Sequence, residues 1–216
     1  MDITPEIVER ALQIRDFDAL NAQVRMAPQP RQLVRLPAQS GDPRLGGVLL
    51  LLYRRGQGLR FVLTRRTENV ETHQGQISLP GGAQEAGETL AETAVREAEE
   101  EIGIHRDDLR LIGRLAPLYI PPSDFEIHPF VAYCPAEPEF AVAPAEVAEL
   151  LEVPLPCLLT PSVRQREQWT VRGYEMVVPF YRLNGHTVWG ATAMVLSEFE
   201  HRLRSVIQSR SENESS

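Results

Sequence analysis

The stretch from Thr89 to Gly103 constrains this chain more than any other. Leu90, Ala91, Ala94, Val95, Ala98 and Ile102 recur at i, i+3, i+4 spacing, which predicts a helix over Thr89 to Ile102 that buries a largely alanine stripe. Gly103 stands where a C-terminal stop belongs. The rest of this helix is acidic. Arg96-Glu97-Ala98-Glu99-Glu100-Glu101 sets Glu97 and Glu101 one turn apart, with Glu100 at i+3 from Glu97, so the three carboxylates converge. Like charges held that close weaken a helix by roughly 0.2–0.5 kcal/mol per exposed pair, unless a cation sits among them. Hard oxygen ligands on one rigid face suit Mg2+ or Mn2+, which keep several waters and meet phosphate oxygens directly. A bare run of this kind reads more readily as a solvated acidic face. That reading suits Glu92 and Glu99, and Glu92 can pair with Arg96 at i+4.

The chain of 216 residues is long enough for one core domain with terminal additions. Its 30 acidic against 22 basic residues give a net charge of −8, which opposes nucleic-acid binding through the general field. A phosphate-bearing ligand then needs a local remedy, and a divalent cation on grouped carboxylates is one. Cys134 and Cys157 lie far apart with no metal-ligand spacing, so buried thiols in a reducing compartment are expected. The start, Met1-Asp2-Ile3-Thr4-Pro5-Glu6, lacks a basic, apolar leader, and the longest aliphatic run, Val48 to Leu52, is too short to span a bilayer. A soluble, cytoplasmic protein without membrane contacts is expected.

Residues 5–20 have helical spacing and residues 26–46 read as a connecting arm, giving a peripheral N-terminal unit over 1–45. The core domain is expected over 46–208 and a polar, disordered tail over 209–216. Val48 to Tyr53 and Leu59 to Thr64 predict a hairpin, followed by a Gly-, Gln- and Pro-rich loop from Glu71 to Gly87. Leu109 to Ile120 and Glu126 to Tyr133 predict strands, Ala145 to Leu151 a short helix, Gln168 to Leu183 a second hairpin, and Ala191 to Ile207 a last helix. Strands and helices intermix without regular βα alternation, which favours an α/β fold of α/β/α type with a mixed sheet.

What precedes the acidic helix narrows its chemistry. Gly82 is followed after five residues by Glu88 and after seven more by Arg96-Glu97, Glu100-Glu101 and Gly103-Ile104. This frame resembles the box of the Nudix hydrolases, with Ala98 where a larger aliphatic is usual. The resemblance implies a metal shell of Glu97, Glu100 and Glu101, and a pairing of Glu88 with Arg96 that braces the loop against the helix, Arg96 acting as a structural clamp. Gly81 and Gly82 give a sharp turn and close approach, since glycine turns without steric cost. The implied reaction is attack of water on one phosphorus of a nucleoside diphosphate derivative, with Mg2+ or Mn2+ neutralising the developing charge. For the general base, Glu146 and Glu149 are the candidates outside the box, although both also suit an ordinary exposed helix face.

Upstream, Leu63-Thr64-Arg65-Arg66 and Thr72-His73-Gln74-Gly75-Gln76-Ile77-Ser78-Leu79-Pro80-Gly81-Gly82 look like the added signature of the coenzyme A pyrophosphatase branch, and Val188 to Ala193 looks like its C-terminal end. The stretch departs from that signature at Thr67, Val70 and Leu79. Similar enzymes split coenzyme A into 3′,5′-ADP and 4′-phosphopantetheine. Arg65 and Arg66 offer a fork for the 3′-phosphate, or end a strand in solvent, the reading preferred for Arg66. His73 and Gln76 are candidate substrate contacts; Trp189 reads better as a helix-entry anchor than as an adenine stacker. Related hydrolases are often homodimers, although no feature here decides that. Other nucleoside diphosphate derivatives (ADP-ribose, NADH, dinucleoside polyphosphates) are the alternative substrates. A nucleotide-sensing module without catalysis is the rival class, and the three retained carboxylates argue against it.

Overall fold

The computed structural model describes residues 3–30, 42–67, 75–171 and 173–214, with side chains described as far as residue 210. Its helices are α1 (Pro5–Leu12), α2 (Ala19–Val24), α3 (Leu90–Ile102), the single turn α4 (Leu155–Leu158) and α5 (Gly190–Glu214). Its strands are β1 (Arg44–Arg55), β2 (Gly58–Arg66), β3 (Ile77–Ser78), β4 (Gly81–Ala83), β5 (Arg110–Arg114), β6 (Leu118–Ile120), β7 (Phe125–Cys134), β8 (Val147–Pro154), β9 (Arg164–Val171), β10 (Tyr174–Leu183) and β11 (His186–Trp189).

The aliphatic run in β1 marks a strand covered on both sides. Alternation sends Leu49, Leu51 and Tyr53 to one face, where they cluster with Ala94, Ala98 and Ile102 of α3. Leu50 and Leu52 go to the other, in one cluster with Ile7, Val8 and Ala11 of α1 and Phe199 and Leu203 of α5. The chain therefore adopts the expected α/β/α sandwich. The sheet is mixed: β1 pairs antiparallel with β2 and parallel with β7. The β4 strand closes on the start of β1, while β3 and β8 pair with β2, and β5 and β6 with β7. A second sheet runs β11-β10-β9. The helix α1 buries Ile7, Val8 and Ala11 completely enough to belong to the main core, which the expectation of a peripheral unit did not foresee.

The ends of α3 are set by local chemistry. The Thr89 hydroxyl accepts from the Glu92 N–H at 3.3 Å and the Glu92 carboxylate accepts from the Thr89 N–H at 2.7 Å, a capping box that satisfies two otherwise orphaned donors. Glu92 is thus turned back to the cap and does not pair with Arg96, as its spacing had allowed. At the other end Gly103 has φ 70°, and its N–H donates to Glu99 O at 3.0 Å.

Four expectations are corrected. Ala145 to Leu151 is not a helix: β8 begins at Val147 and buries Val147, Leu151 and Val153 against the sheet. A short apolar run fits either period, and the open edge of β2 supplies a hydrogen-bonding partner that decides the matter. The strand over Leu109 to Ile120 is two strands, because Pro117 cannot donate to a ladder and the register slips between Leu111 and Gly113. The helix over residues 5–20 is α1 and α2, the second started by an Asp18 side chain accepting from Asn21 N–H at 3.0 Å. Past Ser209, α5 continues to Glu214.

Candidate functional site

The β4 strand and the acidic face of α3 build the site. Gly82 of β4 is pressed against that face: a Cβ there would stand 2.3 Å from Glu97 Oε1. Only glycine leaves this carboxylate its place. Arg96 then ties the approach loop to the helix. Its Nε and Nη2 donate to the two oxygens of Glu88 at 3.1 and 3.0 Å, and Nη2 also donates to Ala83 O at 3.1 Å. Glu88 accepts in addition from the Glu85 N–H at 2.9 Å and the Thr93 hydroxyl at 2.7 Å. The Arg96 guanidinium, helped by those two donors, holds the Glu88 carboxyl down to about 2.

The remaining Arg96 nitrogen faces the candidate ligands. Nη1 donates to Glu97 Oε1 at 2.9 Å and to Glu100 Oε2 at 3.0 Å. Glu97 is sunk between β4 and α3, and burial raises its pKa despite Arg96. Glu100 is more than half exposed, on the rim of the site. Glu101 is the deepest of the three, its side chain 4% exposed. Burial, with the charges of Glu97 and Glu146 adding to it, pushes its pKa up to about 8, against the partial relief of Arg66 and the Gly81 N–H.

The three box carboxylates are therefore not equivalent. Among the described residues no three Asp, Glu, His or Cys side chains converge closely enough to cage an ion. One Arg96 nitrogen is shared by Glu97 and Glu100. What the site does show is unmet demand for positive charge: Glu101 Oε2 is buried and has no hydrogen-bond partner. A buried carboxylate oxygen facing two further carboxylates suits a divalent cation better than any neutral group. Glu97 and Glu101 are the residues that could hold one there.

Glu146 lies in the turn before β8, exposed, yet near enough for its charge to raise both Glu97 and Glu101. Thr67 anchors this turn: its N–H donates to Glu146 O at 2.9 Å and its hydroxyl to Ala145 O at 3.0 Å. Glu149 is elsewhere. Its carboxylate takes Arg65 Nε at 2.9 Å and His186 Nε2 at 3.2 Å, and Arg65 holds its pKa low. Glu149 is thus committed to a structural pairing, which leaves Glu146 as the candidate base.

Arg65 and Arg66 do not form one fork. Successive side chains of a strand point to opposite sides, and Arg65 turns to Glu149 while Arg66 turns to α3, its Nη1 3.7 Å from Glu101 Oε1. Arg66 does not end in solvent, as its place at the strand end had suggested. Alternation along β2 was the sequence signal that could have separated the pair. The Gln76 carbonyl accepts from the Arg66 N–H at 3.0 Å, which sets Gln76 beside the same strand end. His73 lies outside the described residues. Trp189 closes β11 immediately before α5, edge-on to Trp169 at 5.6 Å, a helix-entry anchor.

The chain is similar in sequence to known proteins. The sequence profile of the NUDIX domain matches residues 43–171. A protein of Photorhabdus laumondii subsp. laumondii described as an uncharacterized Nudix hydrolase, NudL, is 33% identical over 183 residues, spanning 84% of this chain and 94% of its own length. Nudix hydrolase 22, chloroplastic, of Arabidopsis thaliana is 32% identical over 162 residues, 71% of this chain and 53% of that protein. The crystal structure of RenU, a Nudix hydrolase from M. Smegmatis, superposes with TM-score 0.47 at 21% identity over 80% of this chain and 91% of its own, too loosely to bear on function.

Proposed function

Because the chain belongs to the Nudix family, we propose that it hydrolyses the pyrophosphate bond of coenzyme A, and of acyl-coenzyme A, to 3′,5′-ADP and 4′-phosphopantetheine with Mg2+ or Mn2+. The observation that carries the hydrolytic part is the buried Glu101 carboxylate, one oxygen unpartnered, set against Glu97 and Glu146. The choice of coenzyme A rests on the run Leu63-Thr64-Arg65-Arg66 and on His73, Gly75 and Gln76 ahead of Leu79-Pro80-Gly81-Gly82.

Glu97 and Glu101, fixed on one rigid helix, hold the cation, and Glu88 with Arg96 keeps the β4 loop seated so that Gly82 stays against Glu97. A divalent ion bound there supplies charge neutralisation at the phosphates and acidifies the attacking water. Glu146 accepts the proton of that water at its carboxylate, exposed enough to pass it to solvent and held in place through Thr67. The water oxygen bonds to one phosphorus, the bridging P–O bond breaks, and the other phosphate leaves with its negative charge.

The test is product analysis by mass spectrometry with Mg2+ or Mn2+ and a panel of coenzyme A, acetyl-coenzyme A, NADH, ADP-ribose and diadenosine polyphosphates. Fastest release of 3′,5′-ADP and phosphopantetheine from coenzyme A is expected, with loss of turnover in EDTA and in Glu97→Gln and Glu101→Gln. If ADP-ribose or another nucleotide is cut faster, the choice of coenzyme A is wrong. Variants within twofold of wild type, or turnover in EDTA, would remove the site assignment.

A further inference from the structure

The Arg66 guanidinium and Glu101 face each other in a way that a permanent ion pair does not explain. A charge-assisted hydrogen bond between guanidinium and carboxylate closes to about 2.7–2.9 Å, yet Arg66 Nη1 stops 3.7 Å from Glu101 Oε1. Both partners also keep an atom unmet: Arg66 Nε and Glu101 Oε2 are buried without a hydrogen-bond partner. The Glu101 side chain is 4% exposed, so bulk solvent barely reaches it. Each group is thus oriented by the other's charge while its hydrogen-bonding capacity is left for something else.

The backbones on both sides are fixed. Arg66 donates its N–H to Gln76 O at 3.0 Å, Thr67 beside it is tied to the Glu146 turn, and Glu101 sits in the last turn of α3. Between these backbones the long Arg66 side chain, 26% exposed, has the rotatable bonds to turn away. The geometry points to an exchange: Arg66 is the counter-charge of Glu101 when no metal is bound, and the metal ion displaces it, leaving its fork of donors for a phosphate oxygen of the substrate.

The inference rests on the reading of this carboxylate face as the metal site. Its physical content is competition followed by cooperation. A guanidinium and a divalent cation both draw on the Glu101 carboxylate, and their like charges repel across it, so each weakens the other's hold. Once turned away, a guanidinium presents paired N–H groups that match phosphate geometry, which an ammonium does not. Metal binding then prepares phosphate binding, and by linkage phosphate binding strengthens metal binding. Arg66 is here a positioning residue toward the metal.

The test is Mn2+ binding to the full chain without substrate, read from the electron paramagnetic resonance of the free ion at one pH held the same for every variant. Arg66→Gln is expected to bind Mn2+ roughly tenfold more tightly than wild type, because the competing charge is gone. Arg66→Lys keeps the charge and is expected to stay within about twofold of wild type. With inorganic pyrophosphate as probe, both variants are expected to lose the tightening that wild type shows in the presence of Mn2+. Affinity in Arg66→Gln equal to or weaker than wild type would overturn the exchange, and so would pyrophosphate coupling preserved in both variants. Glu101→Gln serves as the separate control: if it binds Mn2+ as wild type does, the metal-site reading fails before the exchange is at issue.

Discussion

Replacing Gly82 with alanine puts a methyl carbon 2.3 Å from Glu97 Oε1 and 2.4 Å from its Cδ. Relieving that overlap to an ordinary contact of about 3.5 Å displaces the carboxylate by more than an ångström. The carboxylate is the end of a flexible side chain, so it moves more cheaply than β4 or α3. Gly82 also lies outside the positive-φ region, so alanine is sterically allowed there and gains about 0.4–1 kcal/mol through the unfolded state. Stability is therefore expected to stay within about 1 kcal/mol of wild type. Activity is not. A ligand misplaced by an ångström costs on the order of 100-fold in rate, or about 2.7 kcal/mol of transition-state stabilisation. The measurements are kcat/KM with coenzyme A and Mg2+ beside urea unfolding of the same preparation. Activity within about threefold of wild type, with the fold intact, would refute the argument that Gly82 exists to seat Glu97. A large loss of stability would instead mean that the helix gave way and not the carboxylate.

Other outcomes follow from neighbouring residues. Ile102, buried at the end of α3 among Leu49, Leu51 and Tyr53, is expected to cost about 2–5 kcal/mol as Ile102→Ala, read as a fall in the urea midpoint with unchanged slope; a loss below 1 kcal/mol would mean that the site collapses freely. Glu88 has its folded pKa depressed from 4.5 to about 2 by Arg96, so its stabilisation is present above the unfolded value and is lost as the pH falls from 4.5 through 2. Wild type should therefore lose stability across that acid range more steeply than Glu88→Gln, and parallel pH profiles would count against the clamp. Thr67→Val removes the hydroxyl bond to Ala145 O while keeping the backbone N–H to Glu146, so the turn carrying the proposed base is loosened but not deleted. Its kcat is expected to fall by roughly tenfold with KM nearly unchanged; a change confined to KM would place Thr67 with substrate binding instead.

The elements that the sequence determined by itself are those whose interactions close within a few residues. The helix α3, its start at Thr89, its stop at Gly103 and the Glu88–Arg96 clamp all rest on contacts spanning eight residues or fewer. At that range spacing fixes the helix boundaries, and the Glu88–Arg96 pairing that the family resemblance implied is formed as well. The β1 run carried its information too, because an unbroken aliphatic strand must be covered on both faces.

Tertiary structure decided what depends on distant partners. Whether residues 145–151 form a helix or a strand turned on the open edge of β2, which meets β8 through pairs such as Arg65 and Glu149, 84 residues apart. That same pairing removed Glu149 from the list of bases and sent Arg65 away from Arg66. The helical period brought Glu97, Glu100 and Glu101 to neighbouring positions, but Glu100 ends on the exposed rim bonded to Arg96 while Glu101 is buried with an unmet oxygen. Burial is a property of the finished packing, and it separates three glutamates that look alike in the sequence. The placement of Arg66 against Glu101 follows the same rule, since a strand end reads as solvent until the helix that faces it is in place.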